Sequence, residues 1–455
     1  MKPSAGAARV SAVLVLLGAA VAGCAVSSPA QPSSTDSPSA VGAVSHRLPG
    51  CATGVASGPE LSASDTAMTT LFPAPGGGQP TYGPFGVAVT AAGNWGFATS
   101  VPITSSAAGS SNTAKAGQTP PPPSPSPSPS ASSGGTSGVD VLRLVPGHAP
   151  VLVRTITVRG LTAGAVLSPN GRLLLVAGGA GATVISVRAA EQGSKHAVLG
   201  SLVRPGGSTA DGAIEVAVTP DGRYAFVSLE GDAQIAVFDL AEARAASFRA
   251  GVGYVGAINS GYGPVGMTVS PDGRWLYATS LSESGPSQVA TVGSLSVISV
   301  ARAESDPAES VQSTVPAGCT PVRVITSANG SVVWVTAQGS DALLAFAAAR
   351  LQASPAHALL ADVQVGEAPV GVALARAGSL IVVSDSSRYA AIDPPPSNLA
   401  VVNVADALAG RPAFVGYLAA GRFPRDVAAS ANGSLLLVAN YASGQVEAVN
   451  AAALP

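Results

Sequence analysis

The stretch GMTVSPDGRWLYATS, residues 266–280, decides the fold. Two short apolar runs flank the turn Ser270-Pro271-Asp272-Gly273-Arg274. Asp-Gly between two β-rich runs signals a hairpin, because the tight turn needs a φ > 0 that glycine tolerates. The unit recurs along the chain. Turns of the forms AAGN, SPNGR, TPDGR, SPDGR, SANGS, ARAGS and SANGS place glycines at Gly93, Gly171, Gly222, Gly273, Gly330, Gly378 and Gly433. Their spacings are 78, 51, 51, 57, 48 and 55 residues. A third β-rich run follows each hairpin, as in QIAVFDL, LSVISV and LAVVNV, and a fourth follows in most copies, as in VLVRTITV and LADVQVG. Four strands per unit at a period near fifty describe a propeller blade. The chain is therefore expected to be all-β, a seven-bladed β-propeller of four-stranded antiparallel blades.

The seventh copy stops after its third strand, at the end of the 455-residue chain. Ala67 to Phe72, ahead of the first copy, are the unpaired candidate for its fourth strand. An N-terminal strand closing the last blade would leave no raw sheet edge. The strands are apolar on both faces, as expected of sheets covered by a neighbour on each side. Trp95, Trp275 and Trp334 all fall in second strands, with Phe97, Tyr224, Phe226 and Tyr277, and are assigned to the core between blades.

The repeat resembles the YVTN-type β-propeller repeat of exported bacterial and archaeal proteins. The resemblance rests on the Pro-x-x-V entries Pro264-Val265-Gly266-Met267 and Pro369-Val370-Gly371-Val372, the S-P-D-G-R turn and the WLYATS-like strand after it. It covers roughly residues 65–455 and speaks to fold; the architecture hosts many activities. Seven-bladed lactonases share it, which makes a lactonase-like hydrolase the enzymatic alternative.

Composition agrees. Charged residues are 11% of the chain, the net charge is −2, and no basic block offers a nucleic-acid footprint. Apolar residues reach 47%, yet beyond the N-terminus no run approaches a spanning helix. Residues 1–23 read as a signal peptide, with Lys2 and Arg9 before an apolar core. The junction Val21-Ala22-Gly23-Cys24 resembles a bacterial lipobox, so Cys24 is expected to carry lipid, palmitate included, and to anchor the chain on the extracytoplasmic face of the cell membrane. A high Ala/Gly/Pro content points to a bacterium with a GC-rich genome. Residues 24–64 form a Ser/Pro-rich tether, and 65–455 the propeller. Cys51 and Cys319 remain, an even pair in an exported chain, and are a candidate disulfide; free thiols are the other possibility.

The first copy carries a Pro/Ser-rich insertion at about 103–137, expected to be disordered, between its second and third strands. Copies four and six are also expanded at this connection, and copies two, three, five and seven are given about four residues there. These long loops share the face on which the inner strands enter. Seven residues before each turn glycine, the repeat aligns Gly86, Gly164, Glu215, Gly266, Arg323, Gly371 and Asp426. Glycines suit the crowded axis. Glu215, Arg323 and Asp426 break the pattern and are expected to ring the channel mouth, either as a self-satisfied ion-pair cluster or as a small polar or cation-binding site.

His46, His148, His196 and His357 occupy the tether or outer segments, with no metal-ligand spacing. No catalytic residue, metal site or cofactor is assigned. The expectation is a monomeric, lipid-anchored module that binds or scaffolds an envelope protein, glycan or small molecule, without nucleic acid. A lactonase-like hydrolase with its site at the channel mouth is the first alternative, and a structural envelope protein the second.

Overall fold

The computed structural model describes residues 44–45, 47–51, 54–62, 66–71, 81–102, 137–283, 285, 291–388 and 397–455. The expected signal peptide, Cys24, most of the expected tether, Phe72 and positions 103–136 of the Pro/Ser-rich insertion lie outside the described residues.

Seven antiparallel sheets form a ring, their strands in chain order from the axis outward except where the N-terminal segment adds an outermost strand to blades five and seven. Blade four shows the plan: Tyr262–Val269 innermost, then Trp275–Ser282, Val292–Ser299 and Val311–Cys319. The turn between its first two strands is held by its own side chains. Gly273 sits at φ 72°, the Ser270 hydroxyl donates to the Asp272 carboxylate, and the Trp275 N–H donates to the Ser270 hydroxyl at 3.0 Å. All seven turn glycines have φ between 65° and 85°, so an L side chain would be strained at each.

Blade seven takes Pro424–Ala429, Leu435–Asn440 and Gln445–Asn450 from the C-terminal end of the chain, and Thr66–Thr70 from the other end. Thr66 pairs with Val449 and Thr70 with Gln445, so the N-terminal strand closes the last blade. The segment before it crosses the two preceding blades. Val44–Ser45 adds a fifth strand to blade five against Leu359–Gln364. Cys51 is bonded to Cys319, Cα atoms 5.4 Å apart. The Ala56 N–H donates to the Val365 carbonyl at 2.8 Å, and the Leu61 N–H donates to the Tyr417 carbonyl at 2.6 Å.

The apolar clusters lie between neighbouring sheets. Trp334, fully buried, packs with Val363, Val372, Ile381 and Val402 of blades five and six. Trp95 and Trp275 are only partly buried at the margins of such clusters. Five blades, two to six, place a short α-helix between their third and fourth strands, a feature the repeat reading did not anticipate. Four of these helices are N-capped by Ser186, Asp239, Ser299 or Asn403, each the last residue of its strand. The second-to-third connection of blade two is shorter than expected, with only Gly179 and Ala180 between its strands.

Candidate functional site: the mouth of the central channel

Six of the seven inner strands enter through an irregularity in their pairing, between Pro264 and Gly266 in blade four and at the matching place in five other blades. A bulge of this kind frees an N–H from the ladder, which must then find another acceptor. A hydroxyl on the second strand supplies it: Thr99 for Gly86, Ser228 for Glu215, Thr279 for Gly266, Thr336 for Arg323 and Ser384 for Gly371, at 2.7–3.1 Å. Thr99, Thr279 and Thr336 also donate to the carbonyl of the next blade, on Ala163, Val322 and Val370 at 2.6–2.8 Å. The glycine column is explained by the same closeness. A Cβ on Gly266 would lie 2.2 Å from the Val322 carbonyl oxygen.

The charged members of that column depart from this plan. Glu215 of blade three and Arg323 of blade five meet across Gly266, with Oε2 and Nε 3.4 Å apart. Arg323 also donates to the Val265 carbonyl of blade four at 3.0 Å, so it staples three blades. Asp426 of blade seven accepts from the Val87 N–H of blade one at 3.0 Å. Blade seven has Ala439 where blades one, four and five have threonine, and the carboxylate makes the interblade bond instead. Burial pushes the Glu215 carboxyl up to about 7; Arg323 opposes the shift and Asp426 adds to it. Burial also raises Asp426, against the pull of Arg323 and the Val87 and Val427 N–H groups.

Neither carboxylate lines the opening. The lining is the preceding column, where Ile214, Val265, Val322 and Val370 present apolar side chains and blade seven presents Arg425. Arg323, Arg388, Phe423 and Glu230 complete the rim of an opening of about 20 Å³. Arg425 is 7% exposed, and its guanidinium stacks 3.7 Å from the Phe85 ring centroid, with Phe423 and Tyr441 at 5.5 and 5.7 Å. Burial, with Arg388 nearby, pushes its pKa down to about 9. Among the described residues, no group accepts a hydrogen bond from it, and its Nε is shut off from solvent. Stacking of this kind contributes about 0.5–2 kcal/mol. Burying an unpaired charge costs several kcal/mol, so Arg425 is a net burden on the fold.

Phe423 adds to that burden. It holds φ at 52°, a region costly for a bulky residue; Thr320 and Ala368 adopt the same backbone at this position of blades five and six, and blades three and four have Gly212 and Gly263. Such a backbone costs about 1–3 kcal/mol. Arg425 and Phe423 escaped the sequence reading because only the column of Asp426 was aligned. One residue earlier the repeat reads Phe85, Ala163, Ile214, Val265, Val322, Val370 and Arg425, and the arginine stands out.

Elsewhere the predicted groups stay apart. His148, His196 and His357 are exposed on outer segments, and His46 lies outside the described residues. Among the described residues, no three His, Cys, Asp or Glu side chains converge as metal ligands.

The ring has a solved counterpart. The chain is similar to a structure titled Kuenenia stuttgartiensis hydrazine synthase, at 14% identity and a TM-score of 0.53, over 81% of this chain and 95% of that one. At that identity the likeness shows the fold alone. No protein-family model matches the chain, and no curated protein matches it.

Proposed function

We propose that this propeller is an extracytoplasmic binding or scaffolding module, of the YVTN-repeat type, held at the cell membrane by lipid on Cys24, with its ligand site at the channel mouth. One observation supports the site above all. In a chain with only 11% charged residues, Glu215, Glu230, Arg323, Arg388, Arg425 and Asp426 gather at or next to one opening. Buried charge is costly, and functional sites are where chains retain it. The anchor follows from the lipobox resemblance, and the envelope is where its partners, whether protein, glycan or small molecule, would be met.

A thermal-shift screen with divalent cations, lactones and envelope glycans tests the site. The reading expects a ligand that stabilises the wild type and fails to stabilise an Asp426→Ala or Arg425→Met variant. Loss of the mouth's charges with no change in any ligand response would contradict it. Cys24→Ala should move the protein from the membrane fraction to the medium, and retention would remove the anchor. The hydrolase reading rests on Glu215, the raised carboxyl nearest the opening, although it does not line it and pairs with Arg323. Lactone turnover lost in Glu215→Gln would raise that reading above the binding module.

A further inference from the structure

The charged column alone leaves the sign of the ligand open. We infer that the mouth is an oxyanion site, in which the guanidinium groups of Arg425, Arg388 and Arg323 hold the carboxylate or phosphate end of a ligand. This inference rests on the reading of the mouth as a ligand site.

Arg425 carries the argument. A guanidinium has five N–H donors and no acceptor, and its planar fork matches carboxylate and phosphate oxygens. When buried it requires acceptors. Arg425 is buried, is fixed in place by Phe85 at 3.7 Å, borders the cavity, and has no acceptor among the described residues. An acceptor for its remaining N–H groups, water or a ligand oxygen, therefore comes from the cavity. Arg388 and Arg323 border the same opening, against one acidic residue there, Glu230. The opening is about 20 Å³, so it seats one small charged group.

The repeat provides an internal control. At the position of Arg425 the six other blades have Phe85, Ala163, Ile214, Val265, Val322 and Val370, so the fold asks only for an apolar side chain there. A cation is disfavoured by the same geometry. The Glu215 and Asp426 oxygens are engaged with the Val216 N–H, Arg323 and the Val87 N–H, and neither carboxylate lines the opening.

The test is thermal shift and calorimetry on the full chain with inorganic phosphate, acetate, chloride and calcium at matched ionic strength. Phosphate or acetate should stabilise the wild type beyond chloride, and whichever dominates identifies a phosphate- or carboxylate-bearing ligand. In Arg425→Met the apparent Kd for that anion should rise at least about tenfold, while the unliganded Tm stays level or rises. This variant also separates site binding from the general stabilising effect of phosphate on folded proteins. Arg388→Ala, at a half-buried position, should weaken the same response and carries the test if Arg425→Met fails to fold. No oxyanion response in the wild type, or an equal one in both variants, overturns the inference. A calcium response that depends on Asp426 overturns the anion while keeping the mouth as a ligand site. No response to either sign of ion overturns both.

Discussion

Blades four and seven share a four-strand plan but differ where the inner strand enters. Blade four enters as Gly263-Pro264-Val265-Gly266. Its glycine takes the left-handed backbone at φ 65°, its valine faces the channel, and Gly266 lets blade five close in. Blade seven enters as Phe423-Pro424-Arg425-Asp426, with a phenylalanine in the left-handed backbone that Thr320 and Ala368 also adopt in blades five and six, an arginine without an acceptor and a partly buried carboxylate. Blade four shows what the ring requires. Blade seven shows departures that the ring must offset, and only one of them, the Asp426 bond to Val87, returns stability to the fold.

The comparison breaks most severely at Gly266. A Gly266→Val side chain would collide with the Val322 carbonyl, a backbone atom with no rotamer to yield. Destabilisation beyond about 4 kcal/mol is expected, with loss of the cooperative melt. A variant melting within a few degrees of wild type would show that the blades can separate without cost. Next comes the strap that leads to blade seven. Cys51→Ser with Cys319→Ser should lower stability by about 2–4 kcal/mol, because the bond closes a loop of 268 residues in the unfolded chain. Chemical denaturation with and without reductant checks this, and coincident curves would contradict it.

The smallest effect is that of pH. Burial pushes Glu215, Asp362 and Glu447 up to about 7 and Asp140 up to about 6. Their folded values exceed the unfolded ones, near 4, so the fold favours the protonated forms. That stability is complete below about pH 4 and is lost as pH rises through 6–7. Hydrogen bonds from Thr219 and Ser270 lower Asp221 and Asp272, whose contribution is lost instead as pH falls below about 4. The Tm should therefore rise by roughly 3–6 °C from pH 8 to pH 5. A Tm that falls over that interval would reverse the sign.

Much of this was legible in the sequence, for definite reasons. Turn glycines and flanking apolar runs are local signals, so Gly273 and its six counterparts located every inner hairpin. Counting strands then assigned the N-terminal strand to the last blade. The helices after the third strands had a readable signal in Ser186, Asp239, Ser299 and Asn403 ahead of helix formers, and it was outweighed by the strand repeat. The contact of Glu215 with Arg323 was not legible. It spans two blades across a residue without a side chain, and only ring geometry brings the pair within 3.4 Å. The exclusion of Glu215 and Asp426 from the lining of the opening was hidden for the same reason.

The most direct test grafts the entry of blade four onto blade seven: Phe423→Gly, Arg425→Val and Asp426→Gly, with Ala439→Thr to restore the interblade hydroxyl. Its melt is measured with and without phosphate or acetate. A propeller at least as stable as wild type, with the oxyanion response gone, is the predicted result. Loss of the cooperative melt, or a response that survives the graft, would contradict the claim that blade seven departs from the repeat in order to bind a ligand.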